Sequence, residues 1–305
     1  MARRFASSNR TLPAARPSLR KYPPWRDRAG RFSVLKTTVL AGAILPGALI
    51  AYWWLAGALG PRTLNAATHE TGKWAVRFLL ISLAVTPARY LFDQGKVVIV
   101  RRMLGVAAAA YAAAHFSLYV ADQQFSLGKV SSEIASRFYL TIGFVALLGL
   151  LALAATSTDA WVRRLGRRWK QLHWLIYPIG VLALWHHFLQ SKAGVSTALF
   201  AAGVFLWLIG WRLLPRKLRA NPWAVLALAP ATAMLTAWLE FAWYGLATRL
   251  NPWRILNANL DIEYGLSTAE WVGVAGLAVV GVMVIFRLLG IWSWKQSSPS
   301  RTVDA

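Results

Sequence analysis

The sequence of 305 residues contains no cysteine, and it has only 11 Asp and Glu residues against 34 Lys and Arg residues. The absence of cysteine excludes disulfides, thiolate-bound metal centres and catalytic thiols. The shortage of acids leaves a net charge of +23 and no paired carboxylates for acid–base chemistry. No glycine-rich phosphate loop and no Ser/His/Asp array is present. Any metal or redox chemistry must therefore use the five histidines or a bound cofactor.

Strong positive charge and an apolar composition occur together in this chain. Hydrophobic residues make up 57% of the sequence, 17 residues are Trp, and the mean hydropathy is +0.45. A nucleic-acid-binding protein of this charge would not also carry long uncharged apolar segments, so we expect no nucleic-acid partner. A multi-pass membrane protein with its basic residues in the loops of one side accounts for both features.

Eight apolar stretches approach the length of about 20 residues that a helix needs to cross a bilayer. The sequence therefore predicts an all-α membrane helix bundle with spans at 37–60, 74–91, 103–121, 138–157, 172–191, 195–211, 223–247 and 270–286. With both termini cytoplasmic, the inside segments carry 26 of the 34 Lys and Arg residues, as the positive-inside rule requires. Residues 1–36 are expected to form a disordered basic arm near anionic membrane lipid.

Four of the five histidines lie in predicted spans, where an imidazole usually has a partner or binds a ligand. His115 belongs to the third span, His173, His186 and His187 belong to the fifth, and His69 is placed in the loop before the second span. At about 1.5 Å per residue, His115 and His186 or His187 reach a similar depth in the outer half of the bilayer. Two imidazoles at one depth on neighbouring helices form the axial pair of a b-type haem. The spacing predicts such a haem and leaves His186 and His187 as alternative ligands.

His173 lies at the opposite depth, in strongly basic surroundings. An ideal helix would place His173 and His186 on different faces, and no histidine of the third span reaches the depth of His173. The basic residues around it are Arg163, Arg164, Arg167, Arg168 and Lys170, together with Arg101 and Arg102 at the start of the third span. These charges suit membrane topology and lipid headgroups, and they also suit a flavin phosphate or an acidic reductase. The residues alone leave both interpretations open.

Several short segments share the order and spacing of one family of bacterial membrane proteins. They are TGKWAVRFLL at 71–80, TP at 86–87, RRMLG at 101–105, AHF at 114–116, RFYLTIG at 137–143, TST at 156–158, and LGRRWKQLH at 165–173 followed by Tyr177. From about residue 37 to 214, the chain resembles the haem-binding membrane subunit of the periplasmic protein-methionine-sulfoxide reductase system, the MsrQ family. That family belongs to the ferric-reductase-like transmembrane group.

The resemblance implies an electron-transfer subunit of the bacterial inner membrane, itself without catalytic residues. In such a system a cytoplasmic flavin reductase supplies electrons, haem b and bound FMN carry them, and a periplasmic molybdopterin subunit repairs methionine sulfoxide in envelope proteins. His115, His186 and His173 fall on haem-associated positions of the family, which favours His186 over His187 as the partner of His115 and makes His173 a third candidate ligand. On the same comparison, Arg101, Arg102 and Arg168 become the candidate FMN-binding residues.

The resemblance divides the chain into three parts. The basic arm, 1–36, and a C-terminal extension, 215–305, have no counterpart in the family core, which corresponds to 37–214. The extension carries the last two spans and is expected either to seat a partner or to pack against the bundle. The alternative functions are a ferric or quinone reductase membrane domain and a haem-free transporter or assembly factor. The lack of a fused nucleotide-binding domain counts against the first, and the shortage of intramembrane acids counts against the second.

Overall fold

The computed structural model describes residues 23–26, 30–191, 194–259, 261 and 265–290. Its helices are α1 (Val34–Leu55), α2 (Thr63–Leu91), α3 (Arg101–Asp122), α4 (Leu127–Ser136), α5 (Phe138–Ala155), α6 (Asp159–Leu165), α7 (Arg167–His173), α8 (Ile176–Gln190), α9 (Ser196–Leu213), α10 (Pro222–Ala247), α11 (Pro252–Ala258) and α12 (Thr268–Leu288). A 3₁₀ turn, Gly95–Val100, leads into α3. Most of the predicted basic arm lies outside the described residues.

The part of the chain that the structure describes contains eight helical segments long and apolar enough to cross a membrane. They are α1, α2, α3 with its preceding turn, α5, α7 together with α8, α9, α10 and α12. The shorter helices α4, α6 and α11 lie in the connections. The predicted all-α bundle of eight spans is confirmed, and the chain is a multi-pass membrane protein.

The second span is longer than its apolar stretch. Helix α2 begins at Thr63, eleven residues before the predicted start of the span at 74. The nearest helix-breaking residues are Gly60, with φ +78°, and Pro61. The hydropathy of a segment marks only the part that suits lipid, whereas the helix continues until a breaker ends it. The prediction that His69 lies in a loop is therefore wrong, because His69 lies within α2.

The fifth span is interrupted between α7 and α8, at Trp174 and Leu175. Pro178 has no N–H to donate to the carbonyl of Trp174, and its ring crowds that carbonyl. The amides of Trp174 and Leu175 accordingly bond to carbonyls three residues back, in a 3₁₀ pattern. The angular relation of an ideal helix therefore does not apply between His173 and His186.

Successive spans alternate in direction, so the connections fall at two ends of the bundle. The end that holds the turn before α3 and the helices α6 and α7 is called the basic end here, and an ion pair of 2.6 Å between Arg102 and Asp159 joins α3 to α6 there. The end that holds α4 and α11 is called the histidine end. His115 and His186 lie in the halves of α3 and α8 nearest the histidine end.

One arginine connects three spans close to the basic end. Pro87 leaves the carbonyl of Leu83 without its helical donor. Arg212 of α9 supplies a replacement, since its Nη2 donates to that carbonyl at 2.6 Å and its Nε donates to the hydroxyl of Tyr177 on α8 at 3.1 Å. Leu83 is only 1% exposed, so the arginine satisfies a buried acceptor that no water could reach.

Candidate functional site

His115 on α3 and His186 on α8 come together near the histidine end of the bundle. The centroids of their imidazole rings are 6.2 Å apart, and the ring planes cross at 79°. Two imidazoles bonded to one metal ion at about 2 Å each place their centroids about 6 Å apart. The fold thus brings together the two residues that the sequence paired, at the separation that one shared metal ion requires.

Backbone carbonyls fix the orientation of both rings. Nδ1 of His115 lies 2.7 Å from the carbonyl oxygen of Thr68, and Nδ1 of His186 lies 2.8 Å from that of Tyr139. Because a carbonyl can only accept, each Nδ1 carries a proton and donates it, and each Nε2 keeps a lone pair. Metal-binding histidines are commonly held in this way, with one ring nitrogen on a carbonyl and the other on the metal.

Glycines make the room for both rings. Gly72 of α2 and Gly143 of α5 each stand one helical turn after the carbonyl that the histidine binds. A Cβ at Gly72 would lie 2.9 Å from Nδ1 of His115, and a Cβ at Gly143 would lie 2.6 Å from Nδ1 of His186. Any side chain at these positions would push the ring from its carbonyl. The sequence pattern did not reveal this role, although a glycine inside an apolar helical segment, such as Gly143, is a signal of close packing.

The two halves of the site repeat one arrangement. In each half, an antiparallel helix pair, α2 with α3 or α5 with α8, supplies a carbonyl, a glycine and a histidine. The carbonyl and the histidine are 47 residues apart in both halves. A single offset of 71 residues relates Thr68 to Tyr139, Gly72 to Gly143, and His115 to His186. The two imidazoles therefore approach a common centre from equivalent positions, as in a parallel internal repeat.

The donor set suits a haem iron better than a bare metal ion. Among the described residues there is no group of three or more His, Asp or Glu side chains that could hold a metal ion. A bare zinc ion takes three or four protein ligands. A haem iron has four porphyrin nitrogens already and takes its remaining ligands from axial side chains. Two imidazoles that lie 6.2 Å apart, each with Nδ1 on a backbone carbonyl and its ring against a glycine, are a donor set that would suit a haem iron.

His187 and His69 lie beside this pair without joining it. Nδ1 of His187 is buried and has no hydrogen-bond partner among the described residues. The side chain of His69 is exposed on α2. Both are near enough to His186 to interact with it electrostatically. Of the two ligands that the sequence left open, His186 is the one whose ring is bound to a carbonyl and faces His115.

His173 lies at the basic end, with contacts to both of its ring nitrogens. Nδ1 lies 3.0 Å from the carbonyl oxygen of Trp169, and Nε2 lies 3.2 Å from the hydroxyl of Ser157. The indole of Trp169 stacks on the imidazole with 3.9 Å between centroids. Binding of a metal by His173 would require the contact with Ser157 to open.

A cavity of about 580 Å³ adjoins α7 at the basic end. It is lined by Arg167, Lys170, Gln171 and Trp174. Two cations beside an indole suit a ligand that has both a phosphate and a flat ring. The three arginines that the sequence predicted as FMN-binding residues do not line this cavity. Arg102 forms an ion pair with Asp159, and both Arg101 and Arg102 interact electrostatically with His173. Arg168 is exposed on α7.

The helix bundle and its paired imidazoles define a class of protein. A family model described as a ferric reductase like transmembrane component matches residues 71–184, which include α3 and His115. Residues 71–184 are thus similar to a ferric-reductase-like transmembrane component, and no solved structure matches the chain.

Curated relatives narrow this class. The haem-binding subunit MsrQ of protein-methionine-sulfoxide reductase from Xanthomonas euvesicatoria pv. vesicatoria is 44% identical over 185 residues, which are 58% of this chain and 85% of the relative. The subunit of the same name from Rhodospirillum rubrum is 41% identical over 192 residues, 62% of this chain and 90% of the relative. The chain belongs to the MsrQ family.

Proposed function

We propose that this protein is the membrane-embedded electron-transfer subunit of a methionine-sulfoxide reductase system and that it binds a b-type haem between His115 and His186. The observation that carries the proposal is the pair of imidazoles 6.2 Å apart, each with Nδ1 on a backbone carbonyl. The relatives named as haem-binding subunits support it by similarity. When bound, the haem supplies one-electron transfer.

The residues of the chain bind and orient this group. Nε2 of His115 and Nε2 of His186 are the atoms that would ligate the iron. The hydrogen bonds from Nδ1 hold each ring in one tautomer and make it a stronger donor. Both rings are only partly exposed, so the surrounding helices limit access of water to the centre.

The proposed direction of electron transfer follows from the charges. We place the basic end in the cytoplasm and the chain in the bacterial inner membrane, with both termini cytoplasmic. The support is the distribution of Lys and Arg in the sequence, since 26 of the 34 fall in the segments that the positive-inside rule assigns to the cytoplasmic side. Electrons would enter there from a cytoplasmic flavin reductase and leave at the histidine end to a periplasmic molybdopterin reductase.

An FMN site is proposed at the cavity beside α7. Arg167 and Lys170 are the cations that would hold the phosphate, and Trp174 is the available aromatic surface. The purified protein should quench FMN fluorescence on titration, and Arg167→Ala combined with Lys170→Ala should weaken binding at least tenfold. Arg163→Ala combined with Arg164→Ala, which removes two exposed charges from α6, is the matched control. Equal FMN affinity in the wild type, the α7 variant and the control would contradict an FMN site at this cavity.

The haem proposal is tested by spectroscopy of the purified protein. The reduced-minus-oxidised spectrum should show b-haem bands that are lost in His115→Ala and in His186→Ala. His187→Ala is a sharp control, because it removes the neighbouring imidazole from the same helix and should retain the bands. His173→Ala should also retain the signal of the His115–His186 centre. An iron-free protein after growth with sufficient haem would contradict the proposal.

A second candidate function is a reductase membrane domain with a different acceptor, such as a ferric chelate or a quinone. The description of the matching family model favours it. The two candidate functions are distinguished by mixing the reduced protein with each acceptor in turn and measuring the rate of its oxidation. Rapid oxidation by ferric chelate, together with no oxidation by a periplasmic methionine-sulfoxide reductase, would favour the second candidate over the first.

A further inference from the structure

We infer that the C-terminal extension sets the rotational position of α8 and that Trp243 of the extension is a positioning residue for His186. The inference rests on the proposed function, because it treats His186 as a haem ligand. The matching family model ends at residue 184, before the extension begins, and describes nothing of this support.

Helix α8 presents different sides to the site and to the extension. His186 and Phe188 are two residues apart, which is about 200° around a helix, so their side chains point in opposite directions. His186 points toward α5, where its ring is bound to Tyr139. Phe188 points the other way and is 6% exposed.

Helix α10 of the extension shares the Phe188 side of α8 with α9 of the core. The ring of Trp243 on α10 packs against that of Phe188 with 5.3 Å between centroids. Leu239 and Tyr244 of α10 also pack against the cluster formed by Phe188 and its buried neighbours, which are Val195 just before α9 and Ala198, Leu199 and Ala202 within α9. Nε1 of Trp243 is buried without a hydrogen-bond partner among the described residues. The contact that the indole of Trp243 makes with α8 is therefore the packing of its ring on Phe188.

This support is itself firmly fixed. The side chains of Val272 on α12 and Thr236 on α10 pack closely against Gly203 of α9, and a Cβ at this glycine would overlap both. Thr236 is completely buried, and its hydroxyl donates to the carbonyl of Thr232 within α10 at 2.7 Å. Helix α10 is therefore held at close range against α9, and it offers Phe188 a rigid surface.

A small rotation of α8 would disturb His186. Turning the helix by about 10° moves an atom that lies roughly 6 Å from its axis by about 1 Å. The hydrogen bond from Nδ1 is 2.8 Å long, and Gly143 leaves no spare room beside the ring. The 3₁₀ turn at Trp174 and Leu175 interrupts the regular α-helical relation between α7 and α8, so lateral packing contributes to the rotation of α8.

The test compares Trp243→Ala with two controls. Trp243→Phe keeps a ring against Phe188, and Trp238→Ala removes an indole from the same helix that packs on Phe241 and lies 47% exposed. The oxidised wild-type protein should give one low-spin haem species in electron paramagnetic resonance. Trp243→Ala should add a high-spin or second low-spin species and lose haem at least tenfold faster to apomyoglobin. Trp243→Phe and Trp238→Ala should match the wild type.

A haem-independent measurement separates the inference from the proposed function. Because the chain has no cysteine, spin labels can be attached to Val145→Cys on α5 and Val181→Cys on α8, both of which are exposed. Trp243→Ala should shift or broaden the distance between the labels, whether haem is present or not. A wild-type protein without haem would refute the proposed function alone. An unchanged label distance together with an unchanged haem signal in Trp243→Ala would overturn the inference. If Trp243→Ala does not fold, the same measurements are made on Trp243→Leu.

Discussion

At the scale of single residues, the site depends on two backbone carbonyls and on the glycines that follow each of them by one helical turn. A helical carbonyl already accepts one hydrogen bond from the amide four residues later, and it has a second lone pair for a side chain. An imidazole can reach that lone pair only if the residue one turn later has no side chain. Gly72 and Gly143 meet this condition for His115 and His186. Each of the two histidines therefore needs a residue without a side chain on the neighbouring helix.

The first prediction concerns Gly143→Ala. Alanine is favoured over glycine in a helix by about 1 kcal/mol, so any loss must come from the clash of the new Cβ with His186. We expect the affinity for haem to fall about 10- to 100-fold, as when a hydrogen bond to a metal ligand is lost. Haem titration followed by absorbance measures this.

Two glycine controls accompany this prediction. Gly281→Ala places a methyl group where nothing lies within 4 Å, and it should leave haem binding unchanged. Gly105→Ala meets only the hydroxyl of Ser82, at an ordinary contact distance of 3.5 Å, and it should retain haem. If Gly143→Ala also binds haem like the wild type, the glycine has no role in seating the ring.

At the scale of elements, proline residues determine where polar groups gather. Pro178 divides the fifth span, and Pro87 exposes the carbonyl of Leu83 within the second. In a membrane an unpaired carbonyl costs more than in water, because no solvent can replace the missing donor. Arg212 is therefore best understood as the complement of Pro87, and it joins α9 to α2 and to α8 through Tyr177.

The second prediction pairs Arg212→Met with Pro87→Ala. Arg212→Met alone should destabilise the protein by about 1–3 kcal/mol, because the Leu83 carbonyl loses its donor. Pro87→Ala restores an amide that can bond to the same carbonyl, so the double variant should be more stable than the sum of the single effects by about 1 kcal/mol. Thermal unfolding in detergent measures all three. Arg89→Met, which removes an exposed charge near the end of α2, should have little effect, and strict additivity of the pair would argue against the complementarity.

At the scale of the whole molecule, charge and helix packing determine different features. The basic residues determine which side of the membrane each connection faces, and they do not determine which helices touch. The packing of α10 and α12 on α9 makes the extension part of the bundle. Of the two roles expected for the extension, packing against the bundle is the one that the described contacts show.

The third prediction concerns orientation. In intact cells, Ser131→Cys on α4 should react with a membrane-impermeant maleimide, and Arg163→Cys on α6 should react only after the membrane is opened. Both positions are exposed, and the natural chain contributes no background because it has no cysteine. Ala198→Cys, fully buried in the bundle, is the unreactive control. Labelling of Arg163→Cys but not Ser131→Cys in intact cells would reverse the proposed orientation.

The sequence by itself determined the features that depend on composition and period. Apolar length predicted eight spans, and the third and fifth spans carried the two histidines at similar depth. These features follow from the residues of one helix, because the bilayer sets the length and the rise per residue sets the depth. The resemblance to the MsrQ family was likewise carried by local segments, and the relatives confirm it.

Only the tertiary structure decided the features that depend on two helices at once. His186, and not its neighbour His187, has its ring on the carbonyl of Tyr139 on another helix and faces His115. The cavity at the basic end is lined by Arg167 and Lys170, not by the arginines that the sequence nominated, because helix rotation decides which cations share a space. Helix α2 begins at Thr63, before the predicted start of the span at 74, because the helix extends beyond its apolar part. Rotation and contact across helices leave no local pattern in the chain, and packing alone fixes them.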